Sequence, residues 1–212
     1  MPPTSHRATL LYQTHSPYAR KALVFAHEAG LADGIDVVHQ ETSPTRRNEE
    51  VFALNPLGKV PVLAWPGSEP IFDSVVICAF LDTLHGGRRL IPAEGAARWK
   101  ALRREAVAQG LADSGIALRW ETVRRPETLR YPPLAAGYTE KLVASYDWLE
   151  QDLEDTPPVD VGTIALATAL DWLEFRDLPD FRAGRPRLAR WFDEFAARAS
   201  MRATPLSGQT HD

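Results

Sequence analysis

The sequence predicts two domains, an α/β domain followed by an all-α domain. Short strand-like runs alternate with amphipathic helices over the first 84 residues, and strand signals largely vanish afterwards. Between these regions, the segment 85–92 (HGGRRLIP) has the glycine and proline content of a linker. At 212 residues the chain is long enough to hold both domains. We therefore expect domains at 1–84 and 93–212, joined by the linker 85–92.

The first domain is predicted to have the element order βαβ–α–ββα. Ser16 is a favourable helix cap, Pro17 suits the first helical position, and Gly30 is a natural stop. A turn-rich segment, 65–69, separates two short apolar runs, as in a hairpin. In chain order, the predicted strands are 8–12, 35–40, 62–64 and 70–72, and the predicted helices are 17–29, 46–54 and 74–84.

The second domain is predicted to be a helical bundle. A long helix is expected from about residue 99 toward residue 124, with a bend near Gly110 or Gly115. The segment 161–175 is apolar nearly all round, so we expect it to be the buried central helix. The tail from Ser200 is expected to be loose. Two amphipathic helices, at 138–153 and 188–195, complete the bundle.

Composition and charge exclude several classes of protein. A net charge of −4 argues against a general nucleic-acid or anionic-membrane binder. No apolar stretch approaches the roughly 20 residues that span a bilayer, and the N-terminus has no signal-peptide core. Because Cys78 is the only cysteine, no internal disulfide can form, and a cytoplasmic location is expected. The six histidines lack metal-ligand spacing, so no metal is expected.

Two neighbouring motifs predict a site for a small peptide. Pro61 stands just before a predicted strand and restricts Val60 to an extended conformation. An extended Val60 can offer its N–H and C=O to a peptide lying alongside. Asp73 and Ser74 place a carboxylate and a hydroxyl at a predicted helix N-terminus, where anions are stabilised.

The motifs and their order resemble those of the glutathione transferase family, over essentially the whole chain. Residues 55–63 (NPLGKVPVL) match the family pattern Asn-Pro-x-Gly-Lys-Val-Pro-x-Leu, in which Pro61 falls on the cis-proline. Asp73-Ser74 matches the acid–serine pair, and 16–21 (SPYARK) matches the start of the first helix. The resemblance implies a thioredoxin-like first domain, with a mixed four-stranded sheet, and an all-α helical-bundle second domain.

The resemblance makes Ser16 the leading catalytic candidate. At a helix N-terminus its hydroxyl can donate to a glutathione thiolate, which the helix dipole also favours. The structural alternative is a plain N-cap, worth about 1 kcal/mol. Thr14, two residues earlier, is the alternative hydroxyl, and Tyr12 and Tyr18 are further hydroxyls nearby.

The resemblance also implies a set of residues that bind glutathione. The main chain of Val60, held by Pro61, would pair with the cysteinyl part, and Lys59 would reach the glycine carboxylate. Asp73 would face the γ-glutamyl ammonium, and Ser74 would bind its carboxylate. The structural alternatives are a solvated loop lysine for Lys59 and helix capping for Asp73 and Ser74.

At the predicted central helix, the family pattern is a Ser/Thr-x-x-Asp capping box. Here the two residue types are exchanged, as Asp160 and Thr163. Asp160 is a good cap, but the exchange argues against the reciprocal bond from Thr163.

The implied activity is that of a glutathione transferase-like enzyme of detoxification, in which the glutathione thiolate attacks a small hydrophobic electrophile. Glutathione is the co-substrate, and the family usually forms homodimers. A glutathione-dependent reductase is an alternative, although it commonly needs a cysteine where Ser16 stands. An isomerase, a dehalogenase or a non-catalytic glutathione-binding regulatory member would carry the same binding motifs.

Overall fold

Three strands form the sheet of an N-terminal unit in the computed structural model, which describes residues 7–209. They are β1 (Ala8–Tyr12), β2 (Ile35–His39) and β3 (Val62–Ala64), in the order β2-β1-β3. β1 is parallel to β2 and antiparallel to β3, so the sheet is mixed. The predicted fourth strand is reduced to one bridging residue, Ile71, whose N–H and C=O pair with those of Leu63 at 2.9 Å.

Helices α1 (Pro17–Glu28), α2 (Glu49–Leu54) and α3 (Ser74–Leu81) complete this unit. Gly30, with φ of 71°, ends α1 as predicted, because glycine adopts this left-handed conformation readily. The start of α2 lies three residues later than predicted. Asn48 is extended there, and its side chain accepts the N–H groups of Glu50 and Val51, so it caps the helix.

A second compact unit, residues 92–202, consists of helices and turns. Its helices are α4 (Gly95–Arg119), α5 (Pro132–Asp152), α6 (Val161–Phe175), α7 (Pro186–Ala196) and α8 (Ala199–Arg202). The last turn of the predicted long helix is a π-helical turn, Trp120–Arg124, that follows α4. Twelve of the fifteen residues of α6 are buried, which confirms the predicted central helix.

Two glycines show that α4 and α6 run parallel. A Cβ on Gly162, near the start of α6, would overlap the carbonyl oxygen of Ala101 in α4. A Cβ on Gly115, later in α4, would lie 2.5 Å from Leu173, near the end of α6. Both helices therefore advance in the same direction, and the glycines permit their close approach.

The capping box of α6 is complete, so our expectation about Thr163 was wrong. Asp160 accepts the N–H of Thr163 at 2.9 Å, and Thr163 Oγ1 accepts the N–H of Asp160 at 2.9 Å. Threonine has a hydroxyl of the right reach to replace the usual acidic residue at the third helical position. Its proton is donated to the carbonyl oxygen of Pro158, at 2.9 Å.

The C-terminal tail belongs to the N-terminal unit, which comprises residues up to Ile91 and those from Ala203 onward. We expected a loose tail within a helical domain at 93–212, and the described residues to 209 differ from this. Thr204 is buried and accepts a hydrogen bond from Arg20 Nε at 3.4 Å. The N–H of Ser207 donates to the carbonyl oxygen of Thr14 at 3.1 Å. Side-chain and main-chain bonds thus hold the tail.

Across residues 7–209, no helix is both long enough and apolar enough to cross a membrane.

Candidate functional site

The sheet register places Ser16 and Val60 at the same edge of the sheet. In the antiparallel pair of β1 and β3, Leu11 lies opposite Val62. The end of β1 therefore lies beside the start of β3. The loop that leads to Ser16 follows β1 at this edge, and Val60 lies at the same edge, just before β3.

The same argument brings Asp73 and Ser74 to this edge. Leu63 pairs with Ile71 in antiparallel orientation, so two residues further along, Asp73 comes opposite Pro61. Because neighbouring strands lie about 4.8 Å apart, the distance from the end of β1 to the Asp73 segment is roughly 10 Å. An extended tripeptide also spans roughly 10 Å. The predicted binding residues thus form one row, about as long as an extended tripeptide.

Ser16 is the N-cap of α1, as predicted. Its backbone is extended, with φ −93° and ψ 120°, and its Oγ accepts the N–H of Ala19 at 3.2 Å. Within residues 7–209, the hydroxyl proton of Ser16 has no acceptor at hydrogen-bond distance. The residue is 7% exposed, so a ligand atom that accepts this proton would be largely shielded from water. The capping and catalytic interpretations are therefore compatible, because each uses a different part of the hydroxyl.

The hydroxyls that are alternatives to Ser16 lie in environments that differ from that of Ser16. Thr14 Oγ1 donates to the carbonyl oxygen of Ser207 in the tail at 2.9 Å, so its proton is already used. Tyr12 is buried in β1, and burial raises the pKa of Tyr12 to about 12 despite the opposing charge of Arg20. A phenol with this raised pKa is a weaker acid than usual. Tyr18 is half-buried on α1.

The Val60–Pro61 peptide bond is cis, at the position where the resemblance placed a cis-proline. The Val60 side chain is buried. Neither its N–H nor its C=O forms a hydrogen bond within the described part of the chain. Lys59 is exposed beside it. The main chain of Val60 therefore has the unsatisfied donor and acceptor that a peptide ligand would pair with.

Two residues of the same motif have roles that the sequence interpretation did not assign. The Asn55 side chain is buried; its Nδ2 donates to the carbonyl oxygen of Lys59 at 2.8 Å, and its Oδ1 accepts the N–H of Leu57 at 3.0 Å. Gly58 has φ of 61°, and a Cβ there would overlap the ring of Phe52. Both residues hold the loop that presents Val60. An Asn and a Gly three residues apart before a Val-Pro pair are the sequence signal.

Asp73 and Ser74 lie at the N-terminus of α3. Asp73 is the N-cap, and its Oδ1 accepts the N–H of Val75 at 3.0 Å, while Ser74 is the first helical residue. Ser74 is 1% exposed, and its Oγ has no hydrogen-bond partner within residues 7–209. A buried hydroxyl without a partner is costly, and a ligand oxygen at this helix N-terminus would satisfy it.

A polar cluster at the ends of β1 and β2 was not predicted. Glu41 accepts a hydrogen bond from Gln13 Nε2 at 2.8 Å, and its other oxygen lies 2.6 Å from His39 Nε2. His15 Nε2 is 4.0 Å from Glu41. Partial burial acts to raise the pKa of Glu41, but the hydrogen bonds from Gln13 and His39 outweigh it and lower that pKa. Polar residues that follow two neighbouring parallel strands were the available signal.

Two family models match the chain, one in each half. The model of the glutathione S-transferase N-terminal domain matches residues 15–84, and that of the C-terminal domain matches residues 132–194. The uncharacterized GST-like protein YibF of Escherichia coli (strain K12) is 29% identical over 194 residues, which cover 89% of this chain and 94% of that protein.

Solved structures of glutathione transferase family members also resemble this chain over nearly its whole length. A glutathione transferase family member from Pseudomonas fluorescens Pf-5, with bound glutathione, superposes with a TM-score of 0.90 at 34% identity and covers 95% of this chain and 100% of its own. A second structure from that organism, with bound S-(propanoic acid)-glutathione, has a TM-score of 0.86 at 33% identity, with coverages of 94% and 100%. The chain belongs to the glutathione S-transferase family.

Proposed function

We propose that this protein is a glutathione transferase that activates the glutathione thiol for attack on a small hydrophobic electrophile. The observation that carries the proposal is Ser16, whose oxygen caps α1 while its proton has no acceptor within residues 7–209. A thiolate placed there would accept the Ser16 proton and lie near the positive end of the α1 dipole. Both interactions favour the thiolate over the thiol, and the thiolate is the nucleophile.

The glutathione-binding roles follow the row of residues along the sheet edge. We assign the cysteinyl main chain of glutathione to Val60, positioned by Pro61, because the polar groups of Val60 need partners. The γ-glutamyl ammonium is assigned to Asp73, and its carboxylate to Ser74, whose hydroxyl is otherwise unsatisfied. Lys59 is assigned to the glycine carboxylate. No metal takes part in the proposed reaction.

The reaction is thioether formation. The thiol proton leaves the glutathione sulfur, and the resulting thiolate forms a carbon–sulfur bond while the electrophile releases a leaving group or takes up a proton. The S-(propanoic acid)-glutathione bound by the P. fluorescens protein is a thioether of this kind, which supports the proposal. We further propose that the protein acts as a homodimer in detoxification and is located in the cytoplasm; a single cysteine fits that reducing compartment.

Ultraviolet difference spectra of bound glutathione test the role of Ser16. In the unmodified protein we expect the thiol pKa to lie well below its usual value of about 8.5. Ser16→Ala should bind glutathione and raise that pKa by roughly one unit or more, because a hydrogen bond to a charged group is lost. Turnover of an activated aryl halide should fall roughly 10- to 100-fold for the same reason.

Two further variants make this test specific. Ser145→Ala, at a half-buried serine of α5, should leave the thiol pKa unchanged. Thr14→Val should also leave it unchanged; a raised pKa in this variant would transfer the role to Thr14. If Ser16→Ala binds glutathione with an unaltered thiol pKa, the assignment of Ser16 is wrong. Glutathione binding with a normal thiol pKa and no turnover in the unmodified protein would favour a non-catalytic member.

A further inference from the structure

The loop between β1 and α1 is a tight turn that ends at Ser16. The N–H of Ser16 donates to the carbonyl oxygen of Gln13 at 2.9 Å, which closes a four-residue turn over residues 13–16. Ser16 then caps α1 with an extended backbone. The position of Gln13 therefore determines where the turn places Ser16 at the start of the helix.

The Gln13 side chain is buried, and both of its polar atoms bond to the segment that follows β2. Its Nε2 donates to Glu41 Oε2 at 2.8 Å and to the carbonyl oxygen of Thr42 at 3.3 Å. Its Oε1 accepts the hydroxyl proton of Thr42 at 3.2 Å. Because the donor and the acceptor of this amide are both used, the side chain has one preferred orientation.

Glu41 is itself held at the end of β2. Its other oxygen lies 2.6 Å from Nε2 of His39, the last residue of that strand. Partial burial would raise the pKa of Glu41, but the bonds from Gln13 and His39 lower it, so the carboxylate is ionised at neutral pH. The bond from Gln13 is therefore charge-assisted, and such bonds are stronger than those between neutral groups. Gln13 thus joins the start of the turn firmly to the neighbouring strand.

The middle of the turn is held separately, by the tail. Thr14 bonds to Ser207 through both its hydroxyl and its carbonyl oxygen. The turn thus has two attachments, one at Gln13 and one at Thr14. Hydrogen bonds weaken steeply when their angle departs from linearity, and a displacement of about 1 Å can cost roughly 100-fold in rate. A hydroxyl that donates to a single sulfur atom therefore requires a turn with a fixed position.

We propose that Gln13 is a positioning residue for Ser16: its side chain, bonded to the segment 41–42, holds the turn that directs the Ser16 hydroxyl toward the glutathione sulfur. This role rests on the proposed transferase function and adds the group that orients its serine. Loss of these bonds is expected to weaken stabilisation of the thiolate. Glutathione should still bind, because the residues assigned to its main chain and its γ-glutamyl end are unchanged.

Gln13→Met tests this role, because methionine has a similar length but cannot form the side-chain hydrogen bonds. Ultraviolet difference spectra of bound glutathione should show a thiol pKa raised by about half a unit or more. Turnover of an activated aryl halide should fall about three- to tenfold, while the Kd for glutathione changes less than about twofold. A loss of stability alone would not change the thiol pKa in protein that is folded and has glutathione bound.

Gln40→Met is the matched control. Gln40 is half-buried just before the segment 41–42, and its side chain bonds to Asn48 and Glu50 instead of the turn. The same substitution at this position should leave the thiol pKa unchanged. An equal rise in Gln40→Met would overturn the role of Gln13, because it would indicate a general loosening of the segment.

Thr42→Val is a milder second variant, which removes one donor to Gln13 Oε1. It should raise the thiol pKa in the same direction as Gln13→Met. Adding it to Gln13→Met should have no further effect, because Thr42 acts through Gln13. If Gln13→Met fails to fold, Thr42→Val decides, and an unchanged thiol pKa in that variant would overturn the role.

The thiol pKa in the unmodified protein separates this role from the proposed function. A lowered thiol pKa that Gln13→Met leaves unchanged would overturn the role of Gln13 and leave the transferase reaction standing. A normal thiol pKa in the unmodified protein would overturn both.

Discussion

Asp73 has two properties that a single substitution separates. Its Oδ1 caps α3 by accepting the N–H of Val75, and its carboxylate supplies a negative charge. Asparagine caps a helix about as well as aspartate, so Asp73→Asn removes the charge and keeps the cap. We expect this variant to raise the Kd for glutathione roughly tenfold, measured by calorimetry. Its thermal midpoint should stay within about 2 °C of that of the unmodified protein.

Asp73→Ala is the matched comparison, because it removes the cap as well. It should weaken glutathione binding and also lower the free energy of unfolding by about 1 kcal/mol. If Asp73→Asn binds glutathione as tightly as the unmodified protein, the charge of Asp73 is not used. The assignment of the γ-glutamyl ammonium to this residue would then be wrong.

At the scale of single residues, local rules predicted much of the candidate site. A serine before a proline at the start of an apolar helix predicts an N-cap, and Ser16 is one. The cis bond at Pro61 followed from the resemblance. The cluster around Glu41 was missed, because its contact with Gln13 joins residues 28 positions apart and leaves no local pattern.

The capping box of α6 gives a prediction at the scale of an element. Thr163 is 1% exposed, and its hydroxyl accepts the N–H of Asp160. Thr163→Val keeps the shape and removes this bond, which leaves a buried N–H without its partner. We expect the free energy of unfolding to fall by about 1–2 kcal/mol, measured by urea unfolding followed by circular dichroism.

Thr139→Val is a suitable control for this experiment. Thr139 lies half-buried on α5, and its hydroxyl donates to the carbonyl oxygen of Ala135, four residues earlier. Such a bond stabilises a helix little, so the change should stay within about 0.5 kcal/mol. Equal destabilisation by the two variants would mean that the reciprocal bond of the capping box is not what stabilises α6.

Helices were predicted better than strands at the element scale, for a physical reason. Helix caps and stops, such as Gly30 after α1, are encoded in neighbouring residues. A strand is defined by its pairing, and the predicted strand at 70–72 pairs through Ile71 alone. The exchanged residue types at Asp160 and Thr163 misled us, because a hydroxyl and a carboxylate can each accept an N–H.

The tail provides a prediction at the scale of the whole molecule. Ser207 forms two hydrogen bonds with Thr14, two residues before Ser16, and Thr204 is buried in the same unit. Deleting residues 203–212 removes these contacts. We expect the free energy of unfolding to fall by about 2 kcal/mol, and the amides of residues 13–16 to exchange hydrogen faster. Hydrogen–deuterium exchange with mass spectrometry measures the second effect.

A shorter deletion, of residues 210–212, is the control, because it leaves both Thr204 and Ser207 in place. In this shorter protein, the rate of amide hydrogen exchange at residues 13–16 should match that of the full chain. Equal exchange in the two truncated proteins would show that the tail does not order the loop before Ser16.

The chain divides twice along its sequence, at the linker and near the C-terminus. The change from mixed to purely helical patterns locates the first boundary, and the structure divides after Ile91. Pairing of Ser207 with Thr14 spans 193 residues. No periodicity or composition signals a contact at such a separation, so the tail could not be assigned from its sequence.

The tail also affects when the loop before Ser16 becomes ordered during synthesis of the protein. A ribosome releases the strands and helices of the N-terminal unit first, but residues 203–209 of that unit leave the exit tunnel only after the helical unit. The helical unit has then already been synthesised. The loop before Ser16 gains its hydrogen bonds from the tail only at this stage, so its ordering is expected to follow synthesis of the helical unit.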